Sequence, residues 1–413
     1  MKRYRHSRQK TAGLIRYSCG FLFVLFSFCY LFFLQGEILA EAQFVYSKGV
    51  TTYNLLVGAI VITIVLMVVQ WVVAMLSRLP SRWHALSYFP SMLLLAILTD
   101  IDKKVIECFT FGNWVWIAPA CMLVYLVAVA VIKKLSDDSL TYNEALKYQM
   151  YPNYILLFAM MLGVGSVSES PDVYHYELKT ERLILNRDYK AAAEVGQKSL
   201  RTTARLTQLR MYALSRQGLL AERIFEYPQH YASFGLLNIA DTMFYNRLSS
   251  QDICAYLGAY CGKNVKSSQQ YYQLLFADSL ANSQAADYYL CSLLLDKKLT
   301  EFHKQLPRYY NLSDSVPGAY DKLPKAYREA LLLIGNPDFA QQGKLVVGTD
   351  TIAVFQDSAF VARFKQYNEK KIGIFNEVER LNKTHREFGK TYWWYYDYSH
   401  LAAGELAPQN GGL

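Results

Sequence analysis

LLVGAIVITIVLMVVQWVVAML, residues 55–76, holds 22 consecutive positions without a charged side chain. A helix needs about 20 apolar residues to cross the hydrocarbon core of a bilayer, so this run reads as a membrane span, taken here as residues 54–76. Working outward, four more apolar stretches share the character: residues 14–34, 83–101, 114–132 and 151–167. The third contains Pro90 and ends in acids, and the fifth is short and ends in Gly and Ser. The first has a long apolar core with no small-residue cleavage site after it, so it reads as a retained anchor rather than a signal peptide. The composition agrees with a membrane part, with 53% hydrophobic and 19% charged residues in a chain of 413.

The net charge of +9 could suggest a nucleic-acid partner. Its distribution argues otherwise. Residues 1–167 carry 14 Lys and Arg against 8 Asp and Glu, whereas residues 168–413 carry 29 against 26. The excess sits beside the spans, which is the pattern of membrane orientation. Lys2, Arg3, Arg5, Arg8, Lys10, Arg16, Arg78, Arg82, Lys133, Lys134 and Lys147 flank one side of five alternating spans, and Lys48, Lys103 and Lys104 the other. Cationic loops stay in the cytoplasm. The N-terminus is then inside the cytoplasmic membrane, and five crossings place everything after residue 168 outside it.

Beyond Val173 the apolar residues recur at three and four, the helical period. In YHYELKTERLILNRDYKAAAEVGQKSL, residues 174–200, the side chains Tyr176, Leu183, Tyr189, Ala192 and Leu200 fall where a tetratricopeptide hairpin places its packing residues. Asn186–Arg187–Asp188 supplies the turn. Further turns follow at Arg216–Gln217–Gly218, at Arg247 to Ser250 and at Gly335–Asn336–Pro337. Alternation that suggests strand is confined to Lys344 to Ile352. A lone hairpin cannot bury its apolar face, whereas stacked ones can. The expected fold is therefore all-α: a bundle of about five transmembrane helices over residues 1–167, then a tetratricopeptide-like α-solenoid of about five hairpins over residues 168–400, and a disordered tail over residues 401–413.

RMYALSRQGLLAERIFEYPQ (residues 210–229), LPKAYREALLL (323–333) and FGKTYWWYY (388–396) resemble segments of a family of uncharacterised bacterial membrane proteins. Those proteins pair several N-terminal spans with a tetratricopeptide-like C-terminal region. The resemblance implies the same architecture and brings no activity or site residues with it.

TYWWYYDYSH, residues 391–400, places Tyr392, Trp393, Trp394, Tyr395 and Tyr396 on one helix. Flat amphipathic rings suit a helix that caps a stack, with an apolar body inside and a polar edge outside. The same rings could instead form an aromatic binding surface, or rest against the bilayer.

Catalytic motifs are missing: the sequence has no HExxH, P-loop, GxSxG or usable GxGxxG pattern. The seven cysteines lack CxxC spacing, so neither a metal site nor a cofactor is expected. Cys254 and Cys261 are seven apart, about 10.5 Å of rise on a straight helix. That exceeds disulfide reach of roughly 4.4–6.8 Å, so a bridge would need a break at Gly258, and unpaired packed cysteines are the expectation. The best chemical candidates are acids at the outer membrane face, Glu37 and Glu41 after the first span and Asp100 and Asp102 at the end of the third. Such acids could bind a metal or accept a proton from an acceptor hydroxyl. They carry the alternative of a membrane transferase acting on a lipid-linked sugar or phosphate. The leading expectation is not an enzyme. It is an integral membrane protein that displays an extracytoplasmic helical-repeat domain to a protein or peptide partner, in an envelope scaffold or assembly role, with no nucleic acid involved.

Overall fold

The computed structural model describes residues 2–100, 112–135, 146–167, 172–239, 247–262, 265, 267–312, 318–334, 344–347, 350–353, 355 and 357–406. The chain divides into two compact units, Met1–Leu178 and Lys179–Leu413.

The first unit opens with α1 (Lys2–Cys29), which continues as a π-helical turn, Tyr30–Leu34. After α2 (Gly36–Tyr46) comes α3 (Leu55–Ser77), whose N-cap Asn54 accepts from Leu56 N and Val57 N, both at 3.1 Å. Two of the orphan N–H groups of an apolar helix are thus satisfied locally. α3 ends where Arg78 turns left-handed at φ 43°. Further on lie α4 (Phe89–Thr99), α5 (Trp114–Leu135) and α6 (Leu146–Val167).

Among the described residues, four helices are long and apolar enough to cross a membrane: Gly13–Leu34, Leu55–Ser77, Trp114–Leu135 and Met150–Val167. The expected third span, 83–101, is not a fifth helix of this kind. It is a 3-10 segment, Ser81–Tyr88, followed by the 11-residue α4. Trp83 departs from helical geometry, and Pro90 sits in the first turn of α4. A proline has no N–H to give to the preceding turn, and Pro90 stands where that is tolerated, in the first turn of a new α-helix. The segment survives because it is enclosed: His84, Ala85, Ser87, Tyr88, Pro90, Ser91, Met92, Leu95, Ala96 and Thr99 are buried. Irregular backbone in apolar surroundings needs internal partners, and Asn153 of α6 provides them. Its Oδ1 accepts from Ala85 N at 2.7 Å and its Nδ2 donates to Ser81 O at 2.9 Å.

Side-chain contacts fix the direction of each rod. Gln70 Nε2 donates to Ser87 Oγ at 3.0 Å and Ser91 Oγ to Leu66 O at 2.9 Å, so α3 runs antiparallel to Ser81–Thr99. Trp114 lies beside Asp100, and Tyr125 stacks on Phe89 at 5.3 Å, so α5 is antiparallel to that segment as well. Phe23 meets Tyr88, and Tyr30 meets Thr99, which makes α1 parallel to it. Tyr154 OH donates to Ser18 Oγ, and Tyr30 OH to Val164 O, so α6 is parallel to α1. The outward faces are apolar, as in Val61, Val65, Val68, Leu123, Val124 and Val127, while hydroxyls and amides point inward.

The second unit is built mainly from helices: the rest of α7 (Asp172–Leu185), α8 (Tyr189–Glu194), α9 (Ala204–Arg216), α10 (Leu220–Arg223), α11 (Ala232–Leu236), α12 (Ser250–Leu257), α13 (Ser268–Ala277), α14 (Ser283–Leu295), α15 (Leu299–Tyr309), α16 (Lys325–Leu333), α17 (Ser358–Gly373), α18 (Glu377–Phe388) and α19 (Tyr392–Leu406). One antiparallel hairpin, β1 (Lys344–Val347) with β2 (Asp350–Ala353), falls where the sequence alternates.

A single turn chemistry recurs. At the end of α7, Arg187 N bonds to Ile184 O and Asp188 N to Leu183 O, the paired pattern of a Schellman turn. The same pair of bonds closes α9 at Gly218 and Leu219, α13 at Ser279 and Leu280, and α14 at Lys297 and Lys298. Each needs a left-handed residue, supplied by Arg187 (φ 63°), Gly218 (φ 69°), Ser279 (φ 56°) and Lys297 (φ 58°). The turns expected at residues 186–188 and 216–218 are two of these. Ser249 at the expected third turn is instead the N-cap of α12, in a capping box with Asp252. Gly335–Asn336–Pro337 lies outside the described residues.

The packing of these hairpins does not confirm a solenoid. In a solenoid each repeat touches only its neighbours. Here α19 returns across the unit: Tyr392 and Tyr395 each stand 5.1 Å from the Phe225 ring and bond to carbonyls at the end of α14. The first hairpin is also irregular, because α8 is only six residues long and Leu200, expected to pack, is 53% exposed. α19 runs to Leu406, past residue 401 where the sequence suggested a tail.

Candidate functional site

The aromatic helix is a packing device. Tyr392, Trp393, Trp394 and Tyr395 are buried, so they do not form an exposed binding platform; Tyr396 is half-buried. Their polar edges are spent inside. Tyr392 OH donates to Leu294 O at 3.2 Å, adding to the bond that carbonyl already takes from Lys297 N, and Tyr395 OH donates to Leu295 O at 2.7 Å, satisfying an end carbonyl of α14. Trp393 Nε1 donates to Glu329 O at 2.8 Å, and the Glu329 carboxylate accepts from Tyr392 N at 2.6 Å. Burial outweighs nearby Lys325, 3.9 Å away, and lifts this carboxyl from its ordinary 4.5 to about 7.

The acids named from sequence are spread over several elements. Glu37 and Glu41 lie on α2, with Glu41 buried. Asp100 caps α4 and accepts from Trp114 Nε1 at 2.7 Å, which gives it a structural task in seating α5. Asp102 lies outside the described residues, and with it the question of a four-acid cluster. Among the described residues, no group of three His, Cys, Asp or Glu side chains could hold a metal ion.

What sequence reading missed is a cleft in the second unit, about 760 Å³ in volume. It forms where the end of α9, the α13–α14 turn and the end of α15 converge. Ser215, Gly218, Ser279, Asn282, Ser283, Gln284, Asp287 and Arg308 bring polar groups to it, and Phe276, Tyr309 and Tyr310 bring rings. Two of the Schellman turns, at Gly218 and Ser279, stand on its rim. Two tyrosines hold Asp287 in place: Tyr310 OH donates to its Oδ1 at 2.6 Å and Tyr327 OH at 2.8 Å. Burial and then the adjacent Asp287 push the Tyr310 hydroxyl upward, which keeps it a donor at neutral pH. Phe276 packs at tilted angles against Tyr289 and Tyr309, with ring centroids 5.7 and 4.9 Å away. Beside the cleft, the Arg216 guanidinium lies 4.9 Å over both Tyr189 and Tyr256.

The lining includes no histidine and no cysteine. It offers amide and hydroxyl groups for a peptide backbone, one anion and one cation for termini or side chains, and rings for apolar contact. That mixture is the chemistry of recognition. The sequence signal would have been the two turns at Gly218 and Ser279, and their convergence is not encoded locally.

A family model described as a family of unknown function (DUF6057) matches residues 259–399. The C-terminal region therefore carries the signature of an uncharacterised family, as the resemblance implied. No curated protein and no solved structure matches the chain.

Proposed function

We propose that this is an integral membrane protein that holds a helical recognition domain outside the cytoplasmic membrane, where the α9–α13–α15 cleft takes an extended segment of a partner protein. Four helices of spanning length fit membrane residence. The parallel run of α1 and α6 supports an odd number of crossings counted from α1 through α6. On that reading Ser81–Thr99, which laid straight would rise about 32 Å, is a fifth crossing. The cationic loops then keep the N-terminus inside and put the second unit outside. The role is one of scaffolding or assembly in the envelope.

The single observation that carries the binding reading is the mixed polar and aromatic character of the cleft lining. The test is photocrosslinking in living cells, with a photoreactive residue at Ser283 or Arg308 on the cleft and at Phe375, 98% exposed, as a control. Adducts to a discrete protein from the first two positions and not from the third are expected. Equal labelling from all three, or none from the cleft, would remove the cleft from consideration.

A further inference from the structure

We propose that Cys254 and Cys261 are an oxidisable pair that closes an intramolecular disulfide, clasping the C-terminal end of α12 to the loop that follows it. On a straight helix their spacing forbids this. The chain, however, breaks between them. α12 stops at Leu257, and Gly258 takes φ 140°, a conformation closed to other residues here because a Cβ would lie 2.0 Å from Leu280 O. The backbone then doubles back along the helix.

Three contacts hold it there. Gln251 Oε1 accepts from Cys261 N at 2.9 Å, and Gln251 Nε2 donates to Cys261 O at 3.3 Å. Gln251 and Cys254 stand three apart, on one face of α12, so this amide delivers residue 261 to the face that carries Cys254. Tyr271 OH donates to both Cys254 O (2.9 Å) and Ala259 O (2.7 Å), tying the helix end to the loop. Each thiol is close enough to perturb the other's ionisation. Cys254 is wholly buried, and Cys261 is at the rim with 9% exposure.

The chemistry needs a disulfide-class oxidant. The Cys261 thiolate attacks one sulfur of the oxidant and releases a thiol, leaving a mixed disulfide. The Cys254 thiolate then attacks Cys261 Sγ and releases the second thiol. Both cysteine protons leave, one S–S bond has formed and one has broken, and the oxidant is reduced to two thiols. Burial raises both cysteines, Cys254 to about 12. Thiolate is therefore scarce at neutral pH, and closure quickens as pH rises.

The pairing chemistry is independent of compartment, but its occupancy in cells rests on the extracytoplasmic reading, since thiols stay reduced in the cytoplasm. The test uses the full chain in detergent. The protein is incubated with oxidised glutathione at pH 8, quenched with acid, alkylated and mapped by peptide mass. The expected product is a peptide linked between residues 254 and 261, with Cys291 still alkylatable. A Cys261→Ser variant should yield no internal link, and the wild-type protein should melt higher after oxidation than before. If the wild-type pair stays fully alkylatable, or links to Cys291 instead, the proposal is overturned. Acid-trapped protein taken directly from cells forms a second arm. A pair that closes in detergent but is fully reduced in cells would uphold the disulfide chemistry and overturn the extracytoplasmic placement.

Discussion

Raising the pH should loosen the grip of α19 on α16, and Glu329 is the reason. Its carboxyl is fully buried and lifted from 4.5 to about 7 by desolvation, against the pull of Lys325, the Tyr392 N–H and, more weakly, Arg363 and Arg328. Between those two values the folded chain binds a proton that the unfolded chain has released. Stability therefore falls as pH rises from about 4.5 to about 7, and the loss is complete above that. A shift of this size is worth on the order of 3 kcal/mol at 1.36 kcal/mol per unit. For a unit of this size that is roughly 6–12 °C of melting temperature.

Glu329→Gln supplies the control, because its amide oxygen can still accept from Tyr392 N but cannot ionise. Trp393 and Trp394 sit on α19, so tryptophan fluorescence during heating reports the relevant contact. Wild type and variant should melt together at pH 4.5, and the variant should melt higher at pH 7.5. Four histidines of the chain, His175, His230, His303 and His385, are pulled down by burial and tilt the curve the opposite way. The difference between the two proteins, not the wild-type slope, is therefore the quantity to read. A constant difference from pH 4.5 to 7.5 would refute the reasoning.

Other changes have definite expected outcomes. Asn153→Ala removes both partners of the broken segment at Ser81 and Ala85, and should lower the melting temperature of detergent-solubilised protein by an amount matching roughly 2–6 kcal/mol. Tyr395→Phe leaves the Leu295 carbonyl without its donor and should cost about 1–3 kcal/mol in thermal denaturation. Gly258→Ala forces a Cβ against the Leu280 carbonyl; strain and overpacking together should cost about 2–6 kcal/mol, seen as loss of folded protein on size-exclusion chromatography. Asp188→Ala removes the N-cap of α8, whose side chain accepts from Ala191 N at 3.0 Å, and should cost about 1 kcal/mol by the same melting assay.

How much of this could be read from the chain depended on how local the cause was. Spans 55–76 and 114–132 announce themselves because twenty apolar residues in a row have few other uses. The turn at Asn186–Arg187–Asp188 was legible because turn residues punctuate a helical period. The broken helical form of residues 83–101 was not legible because hydropathy averages over Pro90 and over the serines, and the partners of Ser81, Ser87 and Ser91 (Asn153, Gln70 and Leu66) lie up to 72 positions away. The solenoid expectation is not confirmed, for a similar reason: local periodicity predicts hairpins, but not that Tyr392 and Tyr395 will return to Phe225. Cys254 and Cys261 hinged on one dihedral angle, at Gly258, which the sequence named as a condition but could not supply. The cleft was invisible because its walls come from residues near 215, 280 and 309, brought together only by tertiary packing.

The placement of the second unit is tested most directly by fusing a reporter that is active only outside the cytoplasm after residues 50, 140 and 175 in turn. Activity at 50 and 175 with silence at 140 is what five alternating crossings require. Silence at 175 with activity at 50 would put the helical unit in the cytoplasm and contradict the account.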